Sequence, residues 1–196
     1  MRLGGFTMQG MAVVERMTAE EYLARPLPWR GRPRTELVEG EVVVNEARPL
    51  HSYVQRDLVF ALETWTRSGP DRGTVMLPVD VQLDERNVFG PDLMWYAEGR
   101  APARDAEPPS PVPDLAVEVR SPSTWRYDIG AKKAAYERHG LPELWLVDSA
   151  AEMVLAFRRS SRTTPTFDVA LELDDHVALE SSLLPGFSLP VSELFP

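Results

Sequence analysis

Apolar and polar residues alternate in several short runs of this chain, and in two stretches the apolar positions recur at helical spacing instead. Thr18-Ala-Glu-Glu21 is a capping-box pattern followed by Tyr22 and Leu23, which predicts a short helix to about Arg25. Beyond the Pro/Arg/Gly loop "RPLPWRGRPR", the run "TELVEGEVVVNE" predicts two strands joined by a turn near Gly40. Val54, Leu58, Ala61 and Trp65 follow helical spacing between about Leu50 and Thr66, and "RSGPDRG" ends that helix. "TVMLPVDVQLD" alternates as one strand, and "FGPDLMWY" gives another short one after "ERN". The proline-rich "EGRAPARDAEPPSPVP" reads as a surface loop. "DLAVEVR" reads as a strand and "STWRYDIGAKKAAYERHG" as a helix closed by Gly140. "ELWLVD", "EMVLAFRR" and "TFDVALEL" are later strands, and "LLPGFSLPVSELF" ends in a turn of helix. Strands and helices alternating around one sheet predict an α/β or mixed α+β domain, with an extra hairpin near its start.

Bulk properties narrow the classes. A chain of 196 residues with 43% hydrophobic and 26% charged residues is expected to form one soluble domain over 17–196, preceded by a poorly ordered extension over 1–16. Met8, Met11 and Met17 are alternative starts, and no apolar segment near the beginning resembles a signal peptide. There is no cysteine, which removes disulfides, thiolate metal sites and cysteine nucleophiles. No apolar run approaches the ~20 residues of a membrane span, and the lack of cysteine fits a cytoplasmic protein. The net charge of −9 argues against a broad non-specific nucleic-acid coat but leaves room for a local basic groove. Of the 21 Lys and Arg residues, the only lysines are the adjacent Lys132 and Lys133.

Candidate chemistry starts at Glu118. In "PDLAVEVRSPST", Leu115, Val117 and Val119 face one way, while Ala116, Glu118 and Arg120 face the other. Asp114 shares the Glu118 face, but four residues of strand separate their Cα atoms by ~13 Å. That is too far for joint chelation of Mg²⁺, whose ligands lie ~2.0–2.1 Å away. Asp92, in the second "PDL" at Pro91–Leu93, can meet Glu118 if its strand lies alongside at the usual ~4.8 Å. Asp128, Lys132 and Tyr136 are spaced i, i+4, i+8 and form one helical stripe. A helix folding back over the strand brings Lys132 to the height of Glu118, where an ammonium stabilises charge developing on a phosphate. Arg120 is a poor general base, because a guanidinium keeps its proton, but it suits a phosphate clamp.

At these residues the sequence resembles the PD-(D/E)XK nuclease superfamily, and within it the Uma family, whose members are described as putative restriction endonucleases. The resemblance runs from Met17-Thr18-Ala19-Glu20-Glu21-Tyr22 through Glu36-Leu37-Val38-Glu39-Gly40-Glu41 and Pro91-Asp92-Leu93. It continues through "PDLAVEVRSPST", Asp128, Lys132, Tyr136, "GLPELWLVD" and "LLPGFSLPVSELF". It implies a restriction-endonuclease-like core, in which a mixed central sheet is flanked by helices. It implies Asp92 and Glu118 as ligands of Mg²⁺, with Mn²⁺ able to substitute, and Glu36 as an additional acid. Glu118-Val119-Arg120 departs from the usual motif by placing arginine where lysine is expected, and Lys132 on the next helix takes that place.

The other candidates have two readings each. His51, at a helix start, is more often a capping or packing residue than a ligand. Tyr136 packs with its hydroxyl bonded at the edge of the site. Asp80 either lines the site or is exposed, and Arg30, Arg32 and Arg34 form a loop run that is usually solvated. The resulting expectation is a Mg²⁺-dependent DNA endonuclease, with Asp92, Glu118, Glu36 and the Val119 carbonyl as ligands and Lys132 beside them. Cutting two strands with one site per chain favours a homodimer. A catalytically inactive binding module, or a nuclease acting on RNA or structured nucleic acid, is the competing expectation.

Overall fold

The computed structural model describes residues 16–26 and 34–195. The extension expected over 1–16 lies outside them, apart from Arg16, as do Arg30 and Arg32. Thr18 caps α1 (Ala19–Leu23) by accepting from the Glu21 amide, while the Glu21 carboxylate accepts from the Thr18 amide at 2.8 Å. β1 (Arg34–Val38) and β2 (Glu41–Asn45) form the expected hairpin. Its turn holds Glu39 at φ 50° and Gly40 at φ 82°, a double left-handed step that matches the twist of the strands.

α2 (Pro49–Arg67) buries His51, Val54, Leu58, Leu62 and Trp65 along one stripe. Each fully buried aliphatic side chain there stabilises the fold by ~1.5–3 kcal/mol. The run read as one strand is two: β3 (Thr74–Met76) and β4 (Val81–Asp84). Pro78 between them offers no amide donor and restricts Leu77, so the ladder stops and the chain changes sheet. "FGPDLMWY" likewise divides, with Phe89 ending β5 (Asn87–Phe89) and Leu93 opening β6 (Leu93–Tyr96).

The remaining strands are β7 (Leu115–Val119), β8 (Glu143–Asp148), β9 (Met153–Arg158), β10 (Val169–Leu173), β11 (Ala178–Glu180) and β12 (Ser188–Pro190). They assemble as a six-stranded sheet β10-β9-β8-β7-β6-β3, a four-stranded sheet β2-β1-β5-β4 and the small pair β11-β12. The expectation of a single sheet is thereby corrected. The architecture is mixed α+β, as the strand and helix pattern implied.

β7 and β8 are the single parallel strand pair among the described residues. Parallel neighbours need a crossover, and here it is helical: α3 (Trp125–Tyr127), a π-helical turn (Asp128–Lys132) and α4 (Lys133–Arg138). Leu115, Val117 and Val119 pack in one core with α2 and the C-terminal Leu184, Phe187 and Leu189. Ala116 joins Ala135, Tyr136 and Phe89 in the core on the other side. Glu118 therefore points toward the crossover. No described helix is long and apolar enough to cross a membrane.

Candidate active site

β6 runs antiparallel to β7 with Leu93 opposite Val117, and one further step of that register sets Asp92 opposite Glu118. Both side chains are buried. Asp92 Oδ2 accepts the Val119 amide at 2.8 Å and lies 3.0 Å from His51 Nε2. Gln55, one turn along α2 from His51, donates to the Asp92 carbonyl at 2.6 Å. Asp114, in the other "PDL", is taken up elsewhere by the Ala97 amide and Arg100.

Lys132 is 1% exposed, and its ammonium fills the point where three carboxylates converge. Nζ lies 2.8 Å from Glu118 Oε1, 2.9 and 3.0 Å from the two oxygens of Glu36, and 3.1 Å from Asp128 Oδ1. The Phe89 ring closes the cage at 5.4 Å. Glu36 Oε1 also accepts the Gly90 amide at 2.7 Å. Thr124 donates to Asp128 Oδ2 at 2.9 Å, and Tyr136 donates to Glu118 Oε1 at 2.7 Å. The crossover thus delivers Asp128, Lys132 and Tyr136 together, and a π-turn is a common device at functional sites.

Electrostatics follow from burial. Desolvation pushes the Glu118 carboxyl up to about 8, with Glu36, Asp128 and Asp92 adding to the rise and Lys132 opposing it. Desolvation also raises Asp128. Burial works against the charge of Lys132, but Asp128, Glu118 and Glu36 outweigh it and hold the ammonium well above its ordinary value. Burial, then Glu118, raises Tyr136 strongly. Four buried carboxyl groups, Glu36, Asp92, Glu118 and Asp128, share the site with a single lysine, so the site carries an excess of acid.

Among the described residues no group of three or more His, Cys, Asp or Glu side chains is arranged to hold a metal ion. Three of the four acids point at the ammonium instead. Asp92 Oδ1 and Glu118 Oε2 accept no hydrogen bond among the described residues and are the oxygens left to a cation. Their chemistry fits a hard divalent ion such as Mg²⁺. Glu36 spends both oxygens on Lys132 and Gly90, unlike the free ligand expected of it.

Arg120 departs further from expectation. Its Nη1 donates to both oxygens of Asp148 at 2.7 and 2.8 Å, and its guanidinium lies over Trp125 at 5.4 Å. The parallel register of β8 sets Asp148 beside it, so one nitrogen of the guanidinium is already engaged. Asp80 is half-buried, and burial raises its carboxyl, with Arg34 lowering it and Glu36 raising it. Asp128 is visible in the sequence as part of a stripe but not as a site residue. Gln55 and the approach of Arg34 to this region carry no such mark. The polar pair His51 and Gln55, one turn apart at the start of an apolar stripe, is the available signal for the first.

Comparison with known proteins bears on the whole chain. The Uma2 family model, described as "Putative restriction endonuclease", matches residues 19–192. A solved structure, a putative nuclease belonging to DUF820 from Anabaena variabilis, is similar at 19% identity with a TM-score of 0.74. The match covers 91% of this chain and 97% of that one, and at this identity it is a likeness of fold. No curated protein matches.

Proposed function

Since the chain belongs to the Uma2 family of putative restriction endonucleases, we propose that it is a divalent-metal-dependent nuclease hydrolysing DNA phosphodiester bonds. One observation carries the reading: Asp92 and Glu118 pair across adjacent strands in a buried site that holds four acids and one lysine. Asp92, Glu118 and the Val119 carbonyl would hold Mg²⁺, and Mn²⁺ would substitute. When bound, such an ion supplies Lewis-acid activation of water and offsets charge on the scissile phosphate. Lys132 orients the attacking water or stabilises the charge that develops on phosphate. Glu36 and Asp128 act by holding Lys132, which is how Glu36 enters the site despite its occupied oxygens. Tyr136 fixes one oxygen of Glu118 and leaves the other free, and His51 orients Asp92 in the way that ligating carboxylates are commonly supported. A two-fold pair of chains would let one site per chain cut both strands.

The test is cleavage of plasmid and linear DNA with Mg²⁺ or Mn²⁺ by the native chain, Glu118→Gln and Lys132→Ala. Either substitution should slow cleavage by about a thousandfold or more, the equivalent of roughly 4 kcal/mol of transition-state stabilisation. Equal cleavage by all three would dismiss the assignment. A second reading, an inactive nuclease-fold binding module, is favoured by the way Lys132 and Arg120 are already occupied by acids. Calorimetric titration with Mn²⁺ separates the two: binding lost in Asp92→Asn supports the nuclease, and no binding supports the module.

A further inference from the structure

Lys132 is caged by three carboxylates, and Arg120 is bound to Asp148. A third cation stands at the same end of the molecule. Arg34 opens β1 two residues before Glu36, and alternation puts the two on one face. The Nη2 end of its guanidinium lies against Gly90, in the space a side chain would take: a Cβ there would meet Arg34 Nη2 at 1.5 Å and Cζ at 2.5 Å. Gly90 is two residues from Asp92, and its amide is bonded to Glu36, so this guanidinium sits on the turn that presents the aspartate. Nη2 is buried and has no hydrogen-bond partner among the described residues. Asp80 is close enough to feel its charge, yet neither Asp80 nor Glu36 forms a salt bridge with Arg34 among the described residues.

A buried guanidinium nitrogen without an acceptor is costly unless a ligand completes it. Planar guanidinium groups bind phosphate oxygens through two parallel hydrogen bonds, which suits this forked, sterically seated side chain. We propose that Arg34, seated on Gly90, is a binding site for a backbone phosphate of the nucleic-acid strand that enters the Asp92–Glu118 site. The inference rests on the nuclease reading for the identity of the strand, but the binding it describes does not require cleavage. Gly90 is part of the device, because its missing side chain is the space the guanidinium occupies. Arg34 is a positioning residue: it sets where the strand lies against the two acids.

The experiment measures binding of a short fluorescent DNA duplex by anisotropy, in Ca²⁺ and over a range of salt, for the native chain, Arg34→Gln and Arg34→Lys. Arg34→Gln should weaken binding about tenfold. It should also flatten the slope of log affinity against log salt by about 0.9, the signature of one phosphate fewer being neutralised. Arg34→Lys should restore the salt slope while recovering only part of the affinity, since an ammonium keeps the charge without the fork. Unchanged affinity and slope in Arg34→Gln would overturn the proposal, and a lowered thermal midpoint beside them would make Arg34 a counter-charge for Asp80. Failure of the native chain to bind the duplex would overturn it as well. Arg34-dependent binding without cleavage by the native chain in Mg²⁺ or Mn²⁺ would uphold the phosphate site and defeat the nuclease reading alone.

Discussion

Glu118 and Glu143 lie on neighbouring parallel strands, both almost fully buried, and they make opposite uses of that position. Glu143 is closed. Its Oε1 accepts from Trp145 at 2.6 Å and Arg158 at 2.8 Å, and its Oε2 accepts from Ser181 at 2.7 Å. One acid meets one cation, and the bonds tie β8 and β9 to the segment after β11. Glu118 is open, with one oxygen held by Tyr136 and Lys132 and the other without a hydrogen bond among the described residues. Burial raises the carboxyl of both glutamates, so desolvation alone does not separate structural from chemical roles. What separates them is whether charge and lone pairs are balanced by the protein itself. A buried acid with its donors complete fastens the fold, and one with donors missing is a place for something else to bind.

The contrast can be broken most forcefully at its cations. Lys132→Met leaves three buried carboxylates without a counter-charge and should cost about 3–5 kcal/mol at pH 8, measured by urea unfolding. Part of that loss should return at pH 5, where burial keeps Glu118 protonated. Glu143→Ala should also destabilise the fold, but it should leave DNA cleavage per folded molecule unchanged.

The pH dependence sharpens the same comparison. Glu118 holds its proton to about pH 8 in the folded chain, against 4.5 ordinarily, so between those values the folded state binds a proton that the unfolded chain has released. Stability contributed by this group should therefore fall as pH rises from about 4.5 to 8 and level off above. Glu118→Gln should remove that decline in a series of urea midpoints, and persistence of the decline would assign it to another acid. The smallest effect belongs to Tyr136→Phe. Losing one hydrogen bond to Glu118 should cost about 1 kcal/mol of stability. Cleavage should fall about 10–100-fold, as for other groups that orient a ligating carboxylate.

Local features were legible in the sequence because their causes are local. The Thr18 cap, the Glu39-Gly40 turn and the apolar stripe of α2 each depend on residues within a few positions. The meeting of Asp92 with Glu118 was also legible, since strand geometry excluded Asp114 and left the other "PDL" as the partner. Strand partnership was not. Pro78 marks a break in the run, but nothing in it says that β3 and β4 join different sheets. The π-turn was hidden because Asp128 and Lys132 keep their separation in sequence whatever the local winding. Arg34 read as one of a run of loop arginines because its seat, Gly90, lies far along the chain.

The parallel pairing of β7 and β8 has a consequence for how this protein tolerates change. A strand that leaves one end of the sheet and re-enters at the other must travel back over a face, and the route passes above Glu118 whatever residues compose it. The lysine rides on that return journey. Its vehicle is a connection that the fold has to make in any case, so moving the cation off the strand demands no new architecture. The same economy is a vulnerability: shortening the return path strikes topology and chemistry in one blow, whereas the loop over 98–113 carries neither Lys132 nor its carboxylate partners and can vary with less at stake.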